Sequence, residues 1–164
     1  MLLIMKRLEE LDFSALMDIY IEGNREKAEV YGDGGLLRAE REFYDYLRED
    51  FFRQKGAFYA VWQVSGRYVS ALRLEPYQDG WLLEALETAP ADRKKGYAKA
   101  LMTAVLEMMG ENRVYSHVSK RNEASLRTHY ACGFQKHLDH MVYLDGSVSN
   151  RAVTLRFYER RHTK

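Results

Sequence analysis

The spacing of apolar residues in the first third of the chain predicts one strand followed by helices. An apolar run over residues 2–8 is typical of a short strand, and Asp12 is a favourable cap for a following helix. Apolar residues at helical intervals predict a second amphipathic helix over residues 38–53. Residues 22–35, which lie between the two helices, are mostly polar and contain glycine, so they predict a loop or a broken helix.

The pattern then changes to that of strands. Residues 57–64 are rich in aromatic and β-branched side chains, and Ser65 with Gly66 predicts a two-residue hairpin turn. Two further strands, over residues 68–74 and 81–88, follow after short turns. These three strands should therefore form an antiparallel meander.

A helix and a short strand come next. Apolar residues at helical intervals over residues 98–109 predict a helix, and residues 114–118 predict a strand. A strand, a crossover helix and a second strand usually form a parallel pair. We therefore expect residues 81–88 to pair in parallel with residues 114–118.

The C-terminal part predicts one more helix and two strands. Asn122 is a favourable helix cap, and Gly133 is a favourable stop for that helix. Strands over residues 134–144 and 153–158 should then flank a turn at residues 145–146. The complete order, β-α-α-β-β-β-α-β-α-β-β, predicts a mixed α/β sheet with helices on both faces. Residues 1–164 are long enough for one such domain.

Composition narrows the class of protein. With 46% hydrophobic and 30% charged residues, the chain has the balance of a folded globular protein rather than a disordered one. No apolar run approaches the length of a membrane span, no leader peptide is apparent, and Cys132 is the only cysteine. We therefore expect a cytoplasmic protein without membrane contact.

Charge is distributed unevenly along the chain. Residues 1–90 carry 11 Lys and Arg against 17 Asp and Glu, whereas residues 91–164 carry 14 against 7. One interpretation is that the basic part holds a polyanion while acidic residues such as Glu22 and Glu26 attract a cationic substrate. The other is that these charges only form solvated helix faces. The small overall charge of +1 argues against nucleic acid as a partner.

The strongest chemical signal is the basic loop between the third meander strand and the next helix, with the sequence Arg93-Lys94-Lys95-Gly96-Tyr97-Ala98. Gly96 allows a positive φ or a close approach of the backbone to a ligand. The first amides of the helix are unpaired and carry the positive end of its dipole. Cations and free amides together predict a polyphosphate site, although neither a P-loop nor a dinucleotide fingerprint is present.

The loop resembles the coenzyme loop of the GCN5-related N-acetyltransferases, written Gln/Arg-x-x-Gly-x-Gly/Ala. Two further segments resemble the same family at the spacing it shows. The matching residues are Arg93, Gly96 and Ala98 in the loop; Thr88, Ala89 and Pro90 before it; and Asn122, Ser125, Gly133 and Phe134 after it.

The resemblance implies transfer of an acetyl group from acetyl-coenzyme A to a primary amine by direct attack. The acceptor would be a small molecule or a peptide, and we expect no metal and a possible homodimer. The alternative is a non-catalytic coenzyme A-binding sensor or partner module on the same fold. The resemblance implies that the cosubstrate contacts Leu86, Glu87, Thr88, Arg93, Lys94, Lys95, Gly96, Tyr97, Ala98, Lys99, Asn122, Ser125 and His129.

Glu84 is the predicted general base. Family bases commonly lie four or six residues before the position matched by Thr88, and Glu84 is the titratable residue among those two positions. Strand alternation places Glu84 on the same face as Leu86 and Thr88, and Glu87 on the opposite face. The alternative is that Glu84 forms a structural ion pair with Arg73 on the adjacent strand.

His129 and Tyr130 are the candidates for the group that meets the leaving thiolate. Many family members carry tyrosine seven residues after the asparagine, where this chain has His129 followed by Tyr130. Helical spacing places His129 on one stripe with Asn122 and Ser125, and Tyr130 on a core-facing stripe. We therefore predict His129 near the sulfur, as an acid or a hydrogen-bond donor, unless it only packs against the pantetheine arm.

Overall fold

A seven-stranded mixed sheet forms the middle layer of the protein, and its strands lie in the order β1-β2-β3-β4-β5-β9-β6. The computed structural model describes residues 1–159; residues 160–164, which the sequence places in the same predicted domain, lie outside this range. The strands are β1 (Leu2–Met5), β2 (Phe58–Val64), β3 (Arg67–Tyr77), β4 (Gly80–Thr88), β5 (Val114–Ser119), β6 (Phe134–Leu138), β7 (Met141–Val142), β8 (Val148–Ser149) and β9 (Ala152–Phe157).

Within residues 1–159, five α-helices accompany the sheet: α1 (Phe13–Ile19), α2 (Ile21–Tyr31), α3 (Gly35–Glu49), α4 (Tyr97–Met109) and α5 (Glu123–Ala131). Two of the predicted caps are confirmed. The Oδ1 atom of Asp12 accepts the Ala15 amide at 3.0 Å, and the Oδ1 atom of Asn122 accepts the Ser125 amide at 3.1 Å. Each cap satisfies one of the amides that a helix N-terminus leaves unpaired.

Each face of the sheet has its own apolar core. On one face, α4 buries Leu101, Met102 and Val105 against residues that include Leu72 and Leu83. On the other face, the core includes residues of α1 and α3, which are joined by Phe51, Tyr59 and Val61. Each fully buried large apolar side chain contributes about 1.5–3 kcal/mol, so both helical layers are held firmly on the sheet. The prediction of helices on both faces is confirmed.

Two parts of the predicted element order are wrong. The polar stretch after Tyr20 is the regular helix α2, which contains Gly23 and is separated from α1 by a break at Tyr20. The single strand predicted over residues 134–144 is instead β6 followed by the small β7–β8 hairpin. Both errors have one cause: contacts with the rest of the fold decide the structure of segments whose local apolar pattern is weak.

β4 does not alternate regularly, because it contains a bulge at Ala85. The residue has φ = 55°, and Arg73 and Ala71, two residues apart on β3, pair with Glu84 and Glu87, which are three apart. A bulge inserts one extra residue and reverses the faces of all residues beyond it. Glu84 and Glu87 therefore share a face, and the prediction that they lie on opposite faces is wrong.

β4 and β5 pair in parallel only at their beginnings. The register joins residues 81–83 to residues 114–116, which confirms the predicted parallel pairing. Within residues 1–159, no further pair joins the two strands, and the bulge at Ala85 starts two residues later. The carboxyl halves of β4 and β5 therefore diverge, leaving backbone groups of both strands available to a ligand.

Candidate active site

The basic loop is fixed to the sheet by a buried carboxylate. Asp92 is only 2% exposed, and its oxygens accept hydrogen bonds from the Arg67 guanidinium at 2.6 and 3.0 Å. The Lys95 ammonium lies 3.2 Å from the Oδ1 atom of the same carboxylate. The Arg67 hydrogen bonds, with help from Lys95, hold the pKa of Asp92 below its usual value. Asp92 therefore stays ionised and ties the loop to β3.

The backbone of the loop turns its amides toward an open cleft. Lys94 and Gly96 both have positive φ, 61° and 83°, which is the left-handed conformation that allows the tight turn into α4. No side chain caps the N-terminus of α4, so the positive end of the helix remains available. Positive charge and exposed amides at a helix start are suited to bind an anionic group.

A cleft of about 500 Å³ lies in front of this helix, between β4, the loop and α5. It brings together most of the residues predicted to bind the cosubstrate; Lys95, turned toward Asp92, is not among the residues that line it. The predicted residues that line it are Leu86, Glu87, Thr88, Arg93, Lys94, Gly96, Tyr97, Ala98, Lys99, Asn122 and Ser125.

The cleft continues into a slot of about 150 Å³ between the diverging ends of β4 and β5. Leu86, Asn122 and Ser125 line both spaces, which shows that they adjoin. His129 lines the slot from α5 and is only 2% exposed. The combined space has a wide cationic mouth and a narrow end between two strands, so it fits a long ligand with an anionic head.

Both ring nitrogens of His129 have partners. Nδ1 lies 2.8 Å from the carbonyl oxygen of Ser125, which can only accept, so Nδ1 carries the proton. Nε2 then accepts from the Ser116 hydroxyl at 2.9 Å. Burial lowers the pKa of His129, which keeps the ring neutral. Its contacts are those of a residue that positions Ser116 and Ser125.

Tyr130 lies outside this site. Its side chain is 45% exposed, and it lines neither the cleft nor the slot. The prediction that Tyr130 faces the core is therefore wrong. Adjacent helical residues point about 100° apart, so burying His129 between Ser116 and Phe134 turns Tyr130 toward solvent.

Glu84 is engaged by a cation. The Arg73 Nε atom donates to its Oε1 atom at 3.0 Å, which is the predicted ion pair. The guanidinium of Arg73 also lies over the rings of Tyr46 and Phe51, at 4.9 and 5.6 Å from their centroids. Glu84 reaches the slot but is held in a structural network.

Glu87 has a different position from the one that strand alternation predicted. Its carboxylate accepts from the Thr88 amide at 3.2 Å and lies 3.3 Å from the Arg93 guanidinium, which also contacts Glu22 at 2.7 Å. Burial raises the pKa of Glu87 above its usual value. This position could not be predicted from strand alternation, because it depends on the bulge at Ala85.

A third space, of about 410 Å³, lies between α2, α3 and β4 and will be called the α2 cavity. Glu87 lines both the cleft and this cavity, so it stands at their boundary. The rings of Tyr20 and Phe43 line the cavity with centroids 5.1 Å apart. The Tyr20 hydroxyl donates to the carbonyl oxygen of Ala85 at 2.6 Å and so supports the bulge.

These features define an α/β domain with an anion-binding helix start beside a pair of diverging strands. The model of the acetyltransferase (GNAT) family matches residues 15–134, which include the loop, the slot and α2. The chain belongs to this family. Its class of reaction is therefore acyl transfer, and the resemblance seen in the sequence is confirmed.

Solved structures share the fold at low identity. The PaiA N-acetyltransferase from Thermoplasma acidophilum, in complex with coenzyme A, is 15% identical, with a TM-score of 0.67 over 96% of this chain and 98% of that chain. The ribosomal-protein-S18-alanine N-acetyltransferase from Escherichia coli is 16% identical, with a TM-score of 0.61 over 96% and 93%. PH1933 from Pyrococcus horikoshii is 18% identical, with a TM-score of 0.67 over 98% and 99%. No curated protein sequence matches the chain.

Two features are absent from residues 1–159. None of the helices there has the length and apolar character needed to cross a membrane. In the same residues, no group of three or more His, Cys, Asp or Glu side chains could hold a metal ion.

Proposed function

We propose that this protein is an acetyl-coenzyme A-dependent N-acetyltransferase that acts on a primary amine by direct attack. The observation that carries the proposal is the continuous space formed by the cleft and the slot, with a helix N-terminus at its wide end. The PaiA enzyme, which has the same fold, was crystallised with coenzyme A, and the S18-alanine enzyme is named for an amine acceptor.

The cosubstrate supplies the acetyl thioester, and the chain supplies the contacts that orient it. The amides of residues 94–98 would hold the pyrophosphate, while Lys94 and Lys99 add positive charge at the cleft. No ion pair within residues 1–159 includes either lysine, whereas Arg93 and Lys95 are engaged with carboxylates. Residues 86–88, which line the cleft, would hold the pantetheine arm, and Leu86 also lines the slot.

Glu87, rather than Glu84, is the base in this proposal. It lines both the cleft and the α2 cavity, and its raised pKa suits a group that must accept a proton. Glu87 takes a proton from the acceptor ammonium, and the free amine nitrogen forms a bond to the acetyl carbonyl carbon. The carbon–sulfur bond then breaks and the sulfur leaves as a thiolate, which takes the second proton that the nitrogen loses, so that the products are the amide and the thiol.

The thiolate needs a donor in the slot. Ser125 lines both spaces, and its Oγ atom lies 3.3 Å from Nδ1 of His129. In this proposal the Ser125 hydroxyl donates a hydrogen bond to the sulfur. His129 acts as a positioning residue, because it is neutral and both of its nitrogens have partners.

Calorimetric titration with acetyl-coenzyme A and an assay of thiol release across a panel of amines test this function. The double variant Lys94→Glu, Lys99→Glu should bind acetyl-coenzyme A about 10- to 100-fold more weakly, because each reversal replaces an attraction with a repulsion. Lys136→Glu is the matched control, since Lys136 lies on β6 outside the cleft. Binding without thiol release from any amine would indicate a non-catalytic coenzyme A module instead. Unchanged affinity in the double variant would contradict the assigned site.

A further inference from the structure

The α2 cavity is the space that the proposed cosubstrate site leaves unused. It adjoins the cleft at Glu87, the proposed base, and its other lining residues come from the first third of the chain. Its volume of about 410 Å³ lies in the range of small-molecule sites. We propose that the α2 cavity binds the acceptor, and that the acceptor is a small monoamine with an apolar, preferably aromatic, body. This inference rests on the proposed function, because it takes Glu87 as the proton acceptor.

The lining of the cavity combines a carboxylate with aromatic rings. Glu87 supplies the carboxylate, and Glu22 lies beside it, since Arg93 contacts both. The rings of Tyr20 and Phe43, tilted by 42° to each other, form an apolar surface next to these carboxylates. An ammonium group directed at Glu87 would therefore place its apolar substituent against two aromatic faces.

The other charged residues of the lining argue against a polyamine. A second ammonium would need a second carboxylate whose charge is not offset by a nearby cation. Glu26 lines the cavity, but so does Lys27, whose opposite charge offsets the attraction of Glu26 for a second ammonium. One net anionic site and an aromatic surface fit a single amine on an apolar body.

Gly23 is the feature that keeps the cavity open. It lies inside α2, where glycine stabilises a helix less than alanine does. Its backbone is helical, and a Cβ atom built on it meets no atom within 4 Å, so neither strain nor packing requires glycine here. Because Gly23 lines the cavity, the space that a side chain would fill is space inside the acceptor site.

This position allows a test in which the variant folds at least as well as the wild type. Thiol release is measured with 2-phenylethylamine, ethanolamine and spermidine for the wild type, Gly23→Ala and Gly23→Leu. We expect the highest kcat/KM with 2-phenylethylamine. Gly23→Leu should raise the KM for this amine about 10-fold or more, the effect of one misfitting group in a hydrophobic pocket, with a smaller rise in Gly23→Ala. The affinity for acetyl-coenzyme A should stay unchanged, since Gly23 does not line the cleft.

Arg25→Leu is the matched control, because Arg25 is an exposed residue of the same helix that does not line the cavity. It should leave the KM for 2-phenylethylamine unchanged. A higher kcat/KM with spermidine, or an unchanged KM in Gly23→Leu, would overturn the acceptor inference while leaving the N-acetyltransferase function in place.

Absence of thiol release with every amine would overturn the proposed function. A binding measurement then tests separately whether the α2 cavity binds an amine. 2-Phenylethylamine should raise the Tm of the wild type but not that of Gly23→Leu, because a ligand that binds only the folded state stabilises it. Equal Tm shifts in the two proteins, or no shift in the wild type, would overturn the inference.

Discussion

The cleft beside α4 and the α2 cavity meet at Glu87, but they are built from different kinds of groups. The anion-binding end of the cleft uses backbone amides, two lysines and a turn with positive φ, all within residues 94–99. The α2 cavity uses residues of α2, α3 and β4 together with Tyr20 at the break before α2, among them the rings of Tyr20 and Phe43. The anion-binding end is therefore local in sequence, whereas the cavity exists only after the helices have packed on the sheet.

This difference explains how each site could evolve. A site made of main-chain amides keeps its geometry when side chains change, since the amide is common to all residues except proline. A cavity lined by side chains changes its shape and charge with single substitutions. Within one fold, the proposed cosubstrate site can therefore remain constant while the proposed acceptor site changes.

The largest expected effect is a difference in turnover between variants of the two carboxylates of β4, Glu87 and Glu84. Glu87→Gln should lower kcat about 10²- to 10³-fold, the usual contribution of a general base, while acetyl-coenzyme A affinity changes little. Glu84→Gln should reduce kcat far less, because Glu84 is held by Arg73. Steady-state rates measured from pH 5 to 9 check this. The acid limb of the wild-type profile should lie above pH 4.5, since the pKa of Glu87 is raised, and Glu87→Gln should lose that limb.

A greater loss of turnover in Glu84→Gln than in Glu87→Gln would reverse the assignment. It would mean that the bulge at Ala85 does not direct Glu87 into the site. Glu84, which lines the slot, would then be the better candidate for the base.

The next largest expected effect concerns Asp92, whose carboxylate fixes the basic loop to β3. Asp92→Asn should lower the free energy of unfolding by about 1–3 kcal/mol, because it removes the charge of a buried carboxylate that accepts hydrogen bonds from the exposed cations Arg67 and Lys95. It should also weaken acetyl-coenzyme A binding, while Tm shifts caused by 2-phenylethylamine persist. Urea unfolding and calorimetry measure the two quantities. The exposed Asp139, paired with Lys136, gives the control Asp139→Asn, which should cost less stability. Equal losses in both variants would contradict the anchoring role.

The smallest effect is a dependence of stability on pH. Burial lowers the pKa of His117, which lines the slot, to about 4. Between pH 6.5 and 4 the unfolded chain binds a proton at this residue and the folded chain does not. Its contribution to stability is therefore present above pH 6.5 and is lost as the pH falls toward 4. The Tm difference between pH 7 and pH 4.5 should be smaller in His117→Asn, but unchanged in His137→Asn at an exposed position.

The difference between local and long-range contacts also determines which features the sequence could predict. The positive φ of Gly96 before a helix, the cap at Asn122 and the parallel pairing of β4 with β5 depend on neighbouring residues or on regular periodicity, and these predictions are confirmed. The bulge at Ala85 could not be predicted, because it is supported by the hydroxyl of Tyr20, 65 residues away. The face of Glu87 could not be predicted for the same reason, since side chains alternate regularly only in an unbroken strand.

Packing also explains the remaining errors. The helix α2 has a weak apolar pattern and contains Gly23, so its sequence alone did not favour a regular helix. It is stabilised by packing on α3, where Gly35 comes so close to Ala28 that a Cβ atom would lie 2.4 Å from the Ala28 carbonyl oxygen. The exposure of Tyr130 follows in the same way from the burial of its neighbour His129.

The position of β9 has a consequence for the synthesis of the chain. This strand, Ala152–Phe157, lies between β5 and β6 and pairs with both in antiparallel register. Until β9 has left the ribosome, β5 has one open edge, and the wall of the slot that β5 forms has no support on that side. The three strands β2, β3 and β4 can assemble from neighbouring hairpins during translation, whereas the part of the sheet that forms the slot must wait for a strand made more than 30 residues after β5. A nascent chain of this protein therefore completes the slot only after β9 has been synthesised.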